Sequence, residues 1–145
     1  MRLEEIAEEW NADCSNFNHL DWTQASLDSI KQSSKYARYK SMEAKDLRSL
    51  RVAYAKLRAE KEDFLFNPTS EVVKEKGWQI PPKGRVLKTE LNTFLAKDPD
   101  LVKMELAIGI QEEKVELLKE ILKQLNGRSY TIRNMIEDRK YKNGG

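Results

Sequence analysis

Residues 1–66 contain neither proline nor glycine, the first of each being Pro68 and Gly77. A stretch of that length without either strong helix breaker has no built-in stop, so long helices are expected. Leu3, Ile6, Ala7 and Trp10 recur at helical spacing with Glu4, Glu5, Glu8 and Glu9 turned outward, which predicts a short amphipathic helix. Residues 11–21, rich in Asn, Asp and Ser, read as a connector, because such side chains hydrogen-bond nearby backbone and favour turns and caps. Asp21 or Thr23 then caps a second helix from about Gln24 to about Phe64. Its apolar stripe begins as Leu27, Ile30, Ala37 and Ala44 and resumes three residues early at Leu47, Leu50, Tyr54, Leu57 and Phe64, a stammer in the pattern. At about 1.5 Å per residue this helix is roughly 60 Å long, too long to be covered on all sides by its own chain.

Between Asn67 and Lys88 the composition changes: Pro68, Pro81, Pro82, Gly77 and Gly84 fall close together, predicting a loop with a short strand-like piece around Val86–Lys88. A connection that long fits a binding or subunit-clasping role. Asp98 or Asp100 starts the next helix, and Gly127 after Asn126 stops it. Leu101, Met104, Ile108, Gln111, Val115, Leu118, Leu122 and Leu125 keep a 3,4 heptad spacing, a coiled-coil seam in which only Gln111 is polar. Leu106, Ile110, Leu117 and Ile121 add a second apolar flank. These seven apolar seam positions are the expected self-association residues, with Gln111 fixing register. A last short helix runs from about Ser129 to Tyr141, placing Ile132, Met135 and Ile136 inward.

The predicted fold is therefore all-α: one domain over 1–145, with a basic helical part (1–66), a Pro/Gly-containing loop (67–88) and carboxy-terminal association helices (89–145). A chain of 145 residues can bury a sufficient core without staples, and one cysteine cannot close an intramolecular disulfide. The start MRLEEIAEEW lacks a cationic region followed by an apolar run, and no stretch reaches the roughly 18 apolar residues of a membrane span. A soluble protein of a reducing cytoplasm, without membrane contact, is expected.

Charge is where the chain is uneven. Residues 1–34 carry two basic and seven acidic side chains, whereas residues 35–61 carry nine basic and three acidic. At 100° per residue Lys31, Lys35, Arg38, Lys45 and Lys56 fall within about 80° of azimuth, a cationic stripe with Tyr36, Tyr39 and Tyr54 interleaved. Basic residues beside ring faces are how single-strand binders hold phosphate and stack bases. The competing reading is a solvated helical face with the tyrosines in a core.

Other chemistry finds little support. Cys14 and His19 supply two ligands where structural zinc takes four, so no metal is expected. The glutamate cluster reads as a solvated face rather than a nuclease centre. No GxxxxGK[ST] loop is present, and a single histidine in a polar connector offers no nucleophilic triad. Neither catalysis nor a cofactor is expected.

Order and spacing along the chain resemble the phage recombination mediators of the UvsY type. The resemblance runs from MRLEEIAEEW through SIKQSSKYARYKSMEAKDLRSLRVAYAKLRAEKEDFLFN and EVVKEKGWQI to the end, most specifically in MRLEEI, KTELNTFLAKDPDL and GRSYTIRNMIEDRKY. It implies a non-enzymatic factor of homologous recombination and repair in the host cytoplasm. Its members bind single-stranded DNA without sequence preference, form ring-like homo-oligomers of about six or seven subunits, and contact the phage recombinase and the phage single-strand-binding protein. Family members carry two basic residues, one residue apart, before an acidic and aromatic pair at the end of the second helix. Here Lys61 matches the second basic position and Ala59 stands at the first, beside Arg58. The resemblance thus implies strand contacts at Arg58 and Lys61, supported by Lys56 and Arg51, beside Lys35, Arg38 and Lys45 of the stripe. It also implies assembly through the carboxy-terminal region. The reading kept beside it is a coiled-coil adaptor that meets an acidic protein surface and never touches DNA.

Overall fold

The computed structural model describes residues 1–16 and 22–144, the Trp22 side chain excepted. Over these residues the chain is all-α: α1 Leu3–Ser15, α2 Trp22–Phe66, α3 Ser70–Lys76, α4 Leu91–Ala96 and α5 Pro99–Lys142, with no strand among them. His19 and Asp21, considered above as a ligand and a cap, lie outside the described residues.

The 45-residue α2 follows from its freedom from breakers, but its inward face is not the most apolar one. Positions 29, 33, 36, 40, 43, 47, 50, 54, 57, 61 and 64 are buried or half-buried, an unbroken alternation of four and three. The expected stammer is absent, and Leu27, Ile30 and Ala37 are exposed. Glu43, a charged residue at an inward position, finds a partner there: Gln111 Nε2 donates to Glu43 Oε2 at 2.6 Å and to the Glu43 carbonyl at 2.9 Å. Gln111 was expected to fix register between copies; its amide instead satisfies a buried carboxylate of its own chain. Ser29 Oγ is buried without a partner among the described residues.

Helix α5 begins as its sequence dictates. Asp98 Oδ2 accepts from the Leu101 N–H at 3.0 Å, a side-chain cap, and Pro99 occupies the first helical position, where a missing N–H costs nothing. It does not stop at Gly127. Glycine there takes no left-handed conformation, and α5 continues to Lys142, absorbing the expected final helix. Leu125 and Ile132 are both buried on one stripe, and packing of that kind exceeds the roughly 1 kcal/mol that a helical glycine costs.

Three connector expectations are corrected. Asn11–Ser15 belong to α1, because Asp13 has side-chain partners on α2 and so does not turn back on its own backbone. The predicted loop contains α3, capped by Thr69 Oγ1, which accepts from the Val72 N–H, and closed by Gly77 at φ +69°. Val86–Lys88 forms no strand: Val86 is buried, and its N–H donates to the Leu65 carbonyl at 2.9 Å rather than to a ladder.

The chain divides into two compact units. The first, Met1–Asp46 with Ile110–Gly145, packs Ile6, Trp10, Tyr36, Leu118, Ile121 and Leu125 into one core, with Cys14, Tyr39, Leu117 and Leu122 against it. The second, Leu47–Gly109, packs Val86, Leu91, Leu95 and Leu101 with Tyr54, Leu57, Leu65, Phe66 and Phe94.

Candidate nucleic-acid interface

A cation is available to an external anion only if the chain has not already neutralised it, and this criterion sorts the basic residues of α2. In the first unit, Lys35 Nζ lies 2.6 Å from Asp13 Oδ2 and 2.9 Å from Glu9 Oε1, and 4.8 Å from the Tyr36 ring centroid. Burial draws the Lys35 ammonium down, but the hydrogen bonds to Asp13 and Glu9 outweigh it and hold the group above its ordinary value. Burial likewise pushes Asp13 up, and the bonds from Lys35 and Tyr36 more than reverse that, leaving its carboxyl below the usual range. Lys35 is thus a structural tie between α1 and α2.

The tyrosines are equally committed. Tyr36 is fully buried; its hydroxyl donates to Asp13 Oδ2 at 2.7 Å, and burial together with that bond raises its pKa far above the ordinary phenol. Trp10 and Tyr39 meet the Tyr36 ring edge-on at 5.5 and 5.8 Å, and Arg128 lies 5.4 Å over Trp10. Tyr39 donates to Glu9 Oε1 at 3.0 Å. Two of the three rings that the sequence offered for base stacking, Tyr36 and Tyr39, belong to the core of this unit or pack on it, held by edge-to-face contacts.

Arg38 and Lys45 are different. Both are exposed, seven residues apart on the outer face of α2, about 10.5 Å along the helix axis. With Lys31 one turn-pair earlier they form a line of three cations that make no ion pair among the described residues.

The second unit repeats the division. Lys61 is buried, its Nζ 2.8 Å from Asp100 Oδ2, 3.0 Å from Asp98 Oδ1 and 4.2 Å from the Trp78 ring centroid. It ties α2 to the capped start of α5, and Lys76 and Phe64 close on the same indole at 4.9 and 5.4 Å. Arg58 is half-buried and lies near the Tyr54 hydroxyl, which donates to Glu105 Oε1 at 2.6 Å. The hydrogen bond to Glu105, with some burial, raises the Tyr54 pKa above the ordinary phenol value. Lys56 and Arg51 are exposed; Lys56 lies near Glu60, whose carboxyl is lowered chiefly by the hydrogen bond from Lys76 at 2.9 Å. Of the seven cations singled out from sequence, Arg38, Lys45, Arg51 and Lys56 are exposed, Arg58 is half-buried, and Lys35 and Lys61 are internal ties. Arg48, exposed on α2, was not singled out, although it belongs to the same basic run.

The expected association residues also have a place. Leu101 is in the core of the second unit, Val115, Leu118 and Leu125 are buried in the first, and Met104, Ile108 and Leu122 are half-buried. This stripe is covered within the chain. The bare apolar residues of α5 include Val102, Leu106 and Ile110, at 39%, 67% and 55% exposure, four residues apart on one face, and further along Tyr130, Tyr141 and Met135, the last expected inward but exposed. Among the described residues no group of three or more His, Cys, Asp or Glu is placed to hold a metal ion, and no helix is long and apolar enough to cross a membrane.

Residues 9–145 match the family model described as "Recombination, repair and ssDNA binding protein UvsY". The fold matches crystal structures of the bacteriophage T4 recombination mediator protein UvsY. In lattice type II the TM-score is 0.78 at 18% identity, covering 98% of both chains. In lattice type IV it is 0.75 at 17%, covering 98% of this chain and 99% of that one. In lattice type I it is 0.75 at 15%, covering 95% and 98%. No curated protein matches the chain by sequence.

Proposed function

The chain belongs to the UvsY family of recombination, repair and single-stranded-DNA-binding proteins, and from that premise we propose that it is a non-catalytic recombination mediator. It holds single-stranded DNA by its phosphates through the exposed cations of α2. The observation that carries this reading is the line Lys31, Arg38 and Lys45, exposed and without an internal counter-ion among the described residues. Positive charge placed in water without an ion-pair partner is available to displace the counter-ions condensed on a polynucleotide, and it carries no sequence information. Lys56, exposed on α2, adds a contact. Lys35 and Lys61 are positioning residues that hold α2 in place.

A few phosphate contacts per chain make a weak grip, and the mediator becomes effective by repetition. Self-association uses the bare α5 face of Val102, Leu106 and Ile110, because a continuous apolar stripe in water is relieved by a second copy. Once several protomers face one strand, each further contact forms at high effective concentration. Bound this way, the strand passes from a single-strand-binding protein to a recombinase, both phage-encoded. The mediator shifts that exchange by as much as its affinities for the two states of the strand differ.

Fluorescein-labelled oligo-dT titrated with protein across a salt series tests the reading. Binding at low salt that weakens linearly in log K against log salt supports it. Absence of binding at low salt disposes of it and favours the adaptor reading.

A further inference from the structure

The densest uncompensated charge of the chain lies outside α2. From Lys76 to Thr89 there is no Asp or Glu, while Lys76, Lys83, Arg85 and Lys88 contribute four positive charges; the whole chain carries +2, so everything else sums to −2. Lys76 is neutralised by Glu60 at 2.9 Å. Lys83, Arg85 and Lys88 are exposed and make no ion pair or side-chain hydrogen bond among the described residues.

The backbone that presents them is fixed at three points. Gly84, at φ +89°, donates its N–H to the Pro81 carbonyl at 2.9 Å, closing a turn with Lys83 inside it. That left-handed conformation is one glycine adopts without strain. Val86 donates to the Leu65 carbonyl at 2.9 Å and buries its side chain in the core of the second unit. Glu90 donates to the Leu87 carbonyl at 2.9 Å, closing a second turn around Lys88. Pro81 is buried as well. The five steps from residue 83 to residue 88 span at most about 17 Å, so three like charges are held close together at an electrostatic cost that an anionic partner removes. Because the loop is already ordered, little conformational entropy is lost when such a partner binds. Beside the cations, Ile80 and Leu87 are 51% and 59% exposed, apolar surface suited to base faces.

We propose that this loop, through Lys83, Arg85 and Lys88, is a second phosphate-contacting surface for single-stranded nucleic acid. The proposal rests on the strand-binding reading above and adds to it a site on the other unit of the chain. Its contribution is additive in the salt dependence: about 0.7 of slope per contact on a single strand, hence about 2 for the three residues of each protomer engaged on the strand.

The test compares four full-length proteins in the labelled oligo-dT titration over the same salt series. They are the wild type, Lys83→Gln/Arg85→Gln/Lys88→Gln, the conservative Lys83→Arg/Arg85→Lys/Lys88→Arg, and a control of equal charge change on α5, Lys103→Gln/Lys119→Gln/Lys123→Gln. All substitutions are at exposed positions, and circular dichroism verifies the fold of each. The glutamine loop variant should flatten the slope by about 2 for each protomer engaged on the strand, with the conservative variant and the control staying near wild type. A loop variant with the wild-type slope, or a control that flattens it equally, overturns the loop proposal alone; in the first case the loop is left to an acidic protein partner. A wild type that does not bind oligo-dT overturns the loop proposal together with the function it rests on.

Discussion

Lys61 is the position where the family resemblance and the structure make opposite predictions, and Lys61→Met separates them. The substitution keeps most of the aliphatic stem and removes the charge. The side chain it replaces is 8% exposed, and its carboxylate partners Asp98 and Asp100 are 17% and 58% exposed. Removing one member of a buried ion pair typically costs about 3–5 kcal/mol, because the other is left desolvated. Asp100 regains water readily, so its part is discounted, and a loss of about 2–4 kcal/mol remains. For a chain of this size that lowers Tm by roughly 6–12 °C. The assay pairs thermal unfolding by circular dichroism with oligo-dT binding well below the melting range, where the folded fraction is unchanged. Destabilisation with strand affinity within about twofold of wild type, an effect far below the tenfold that 1.4 kcal/mol represents, is the expected result. Adding Asp98→Asn, which keeps a competent helix cap while removing one orphaned charge, should recover part of the loss. An unchanged Tm with strand affinity reduced tenfold would refute the assignment and restore Lys61 as a strand contact.

Four further outcomes are expected. Arg38→Gln/Lys45→Gln should flatten the salt slope of oligo-dT binding by about 1.4 for each protomer engaged on the strand and leave Tm within about 1 °C; a wild-type slope would show that α2 does not carry the strand. Gly127→Ala, whose new Cβ meets nothing within 4 Å, should stabilise by up to about 1 kcal/mol in thermal melts, and a lower Tm would contradict a continuous α5. Because the Asp13 carboxyl is lowered in the folded state, its contribution is complete above the ordinary carboxylate value of about 3.9 and is lost as pH falls through the lowered one. Acid melts of Asp13→Asn should accordingly be less stable at neutral pH and flatter below about pH 4. Leu106→Asp/Ile110→Asp should lower the mass seen by light scattering without loss of helicity, whereas Leu118→Asp, at a fully buried position, should cost several kcal/mol and unfold the first unit.

What could be read from the chain depended on how far each feature reaches along it. The α5 seam was legible because Leu101, Val115, Leu118 and Leu125 are apolar as well as buried, and the inward face of α2 from Leu47 onward is apolar too, Lys61 excepted. The first half of α2 was read on the wrong face. Its inward positions include Ser29, Ser33, Lys40 and Glu43, and hydrophobicity pointed instead to Leu27 and Ile30. What covers the α5 seam was illegible for a similar reason: a heptad stripe has the same spacing whether its partner helix belongs to the same chain or to another. Whether a cation is free is the least local property of all. Lys35 is neutralised by residues 22 and 26 positions away, and Lys61 by Asp100, 39 positions away. The loop cations Lys83, Arg85 and Lys88 were illegible because residues 62–100 together carry six basic and seven acidic side chains, so that the segment as a whole looks neutral.

Equilibrium sedimentation of wild-type protein with labelled oligo-dT, at low and at high salt, bears most directly on a collective phosphate grip. At low salt the labelled strand should sediment with the mass of several protomers, and at high salt it should be released while the protein assembly persists. A strand that sediments alone beside single protomers at low salt would contradict it.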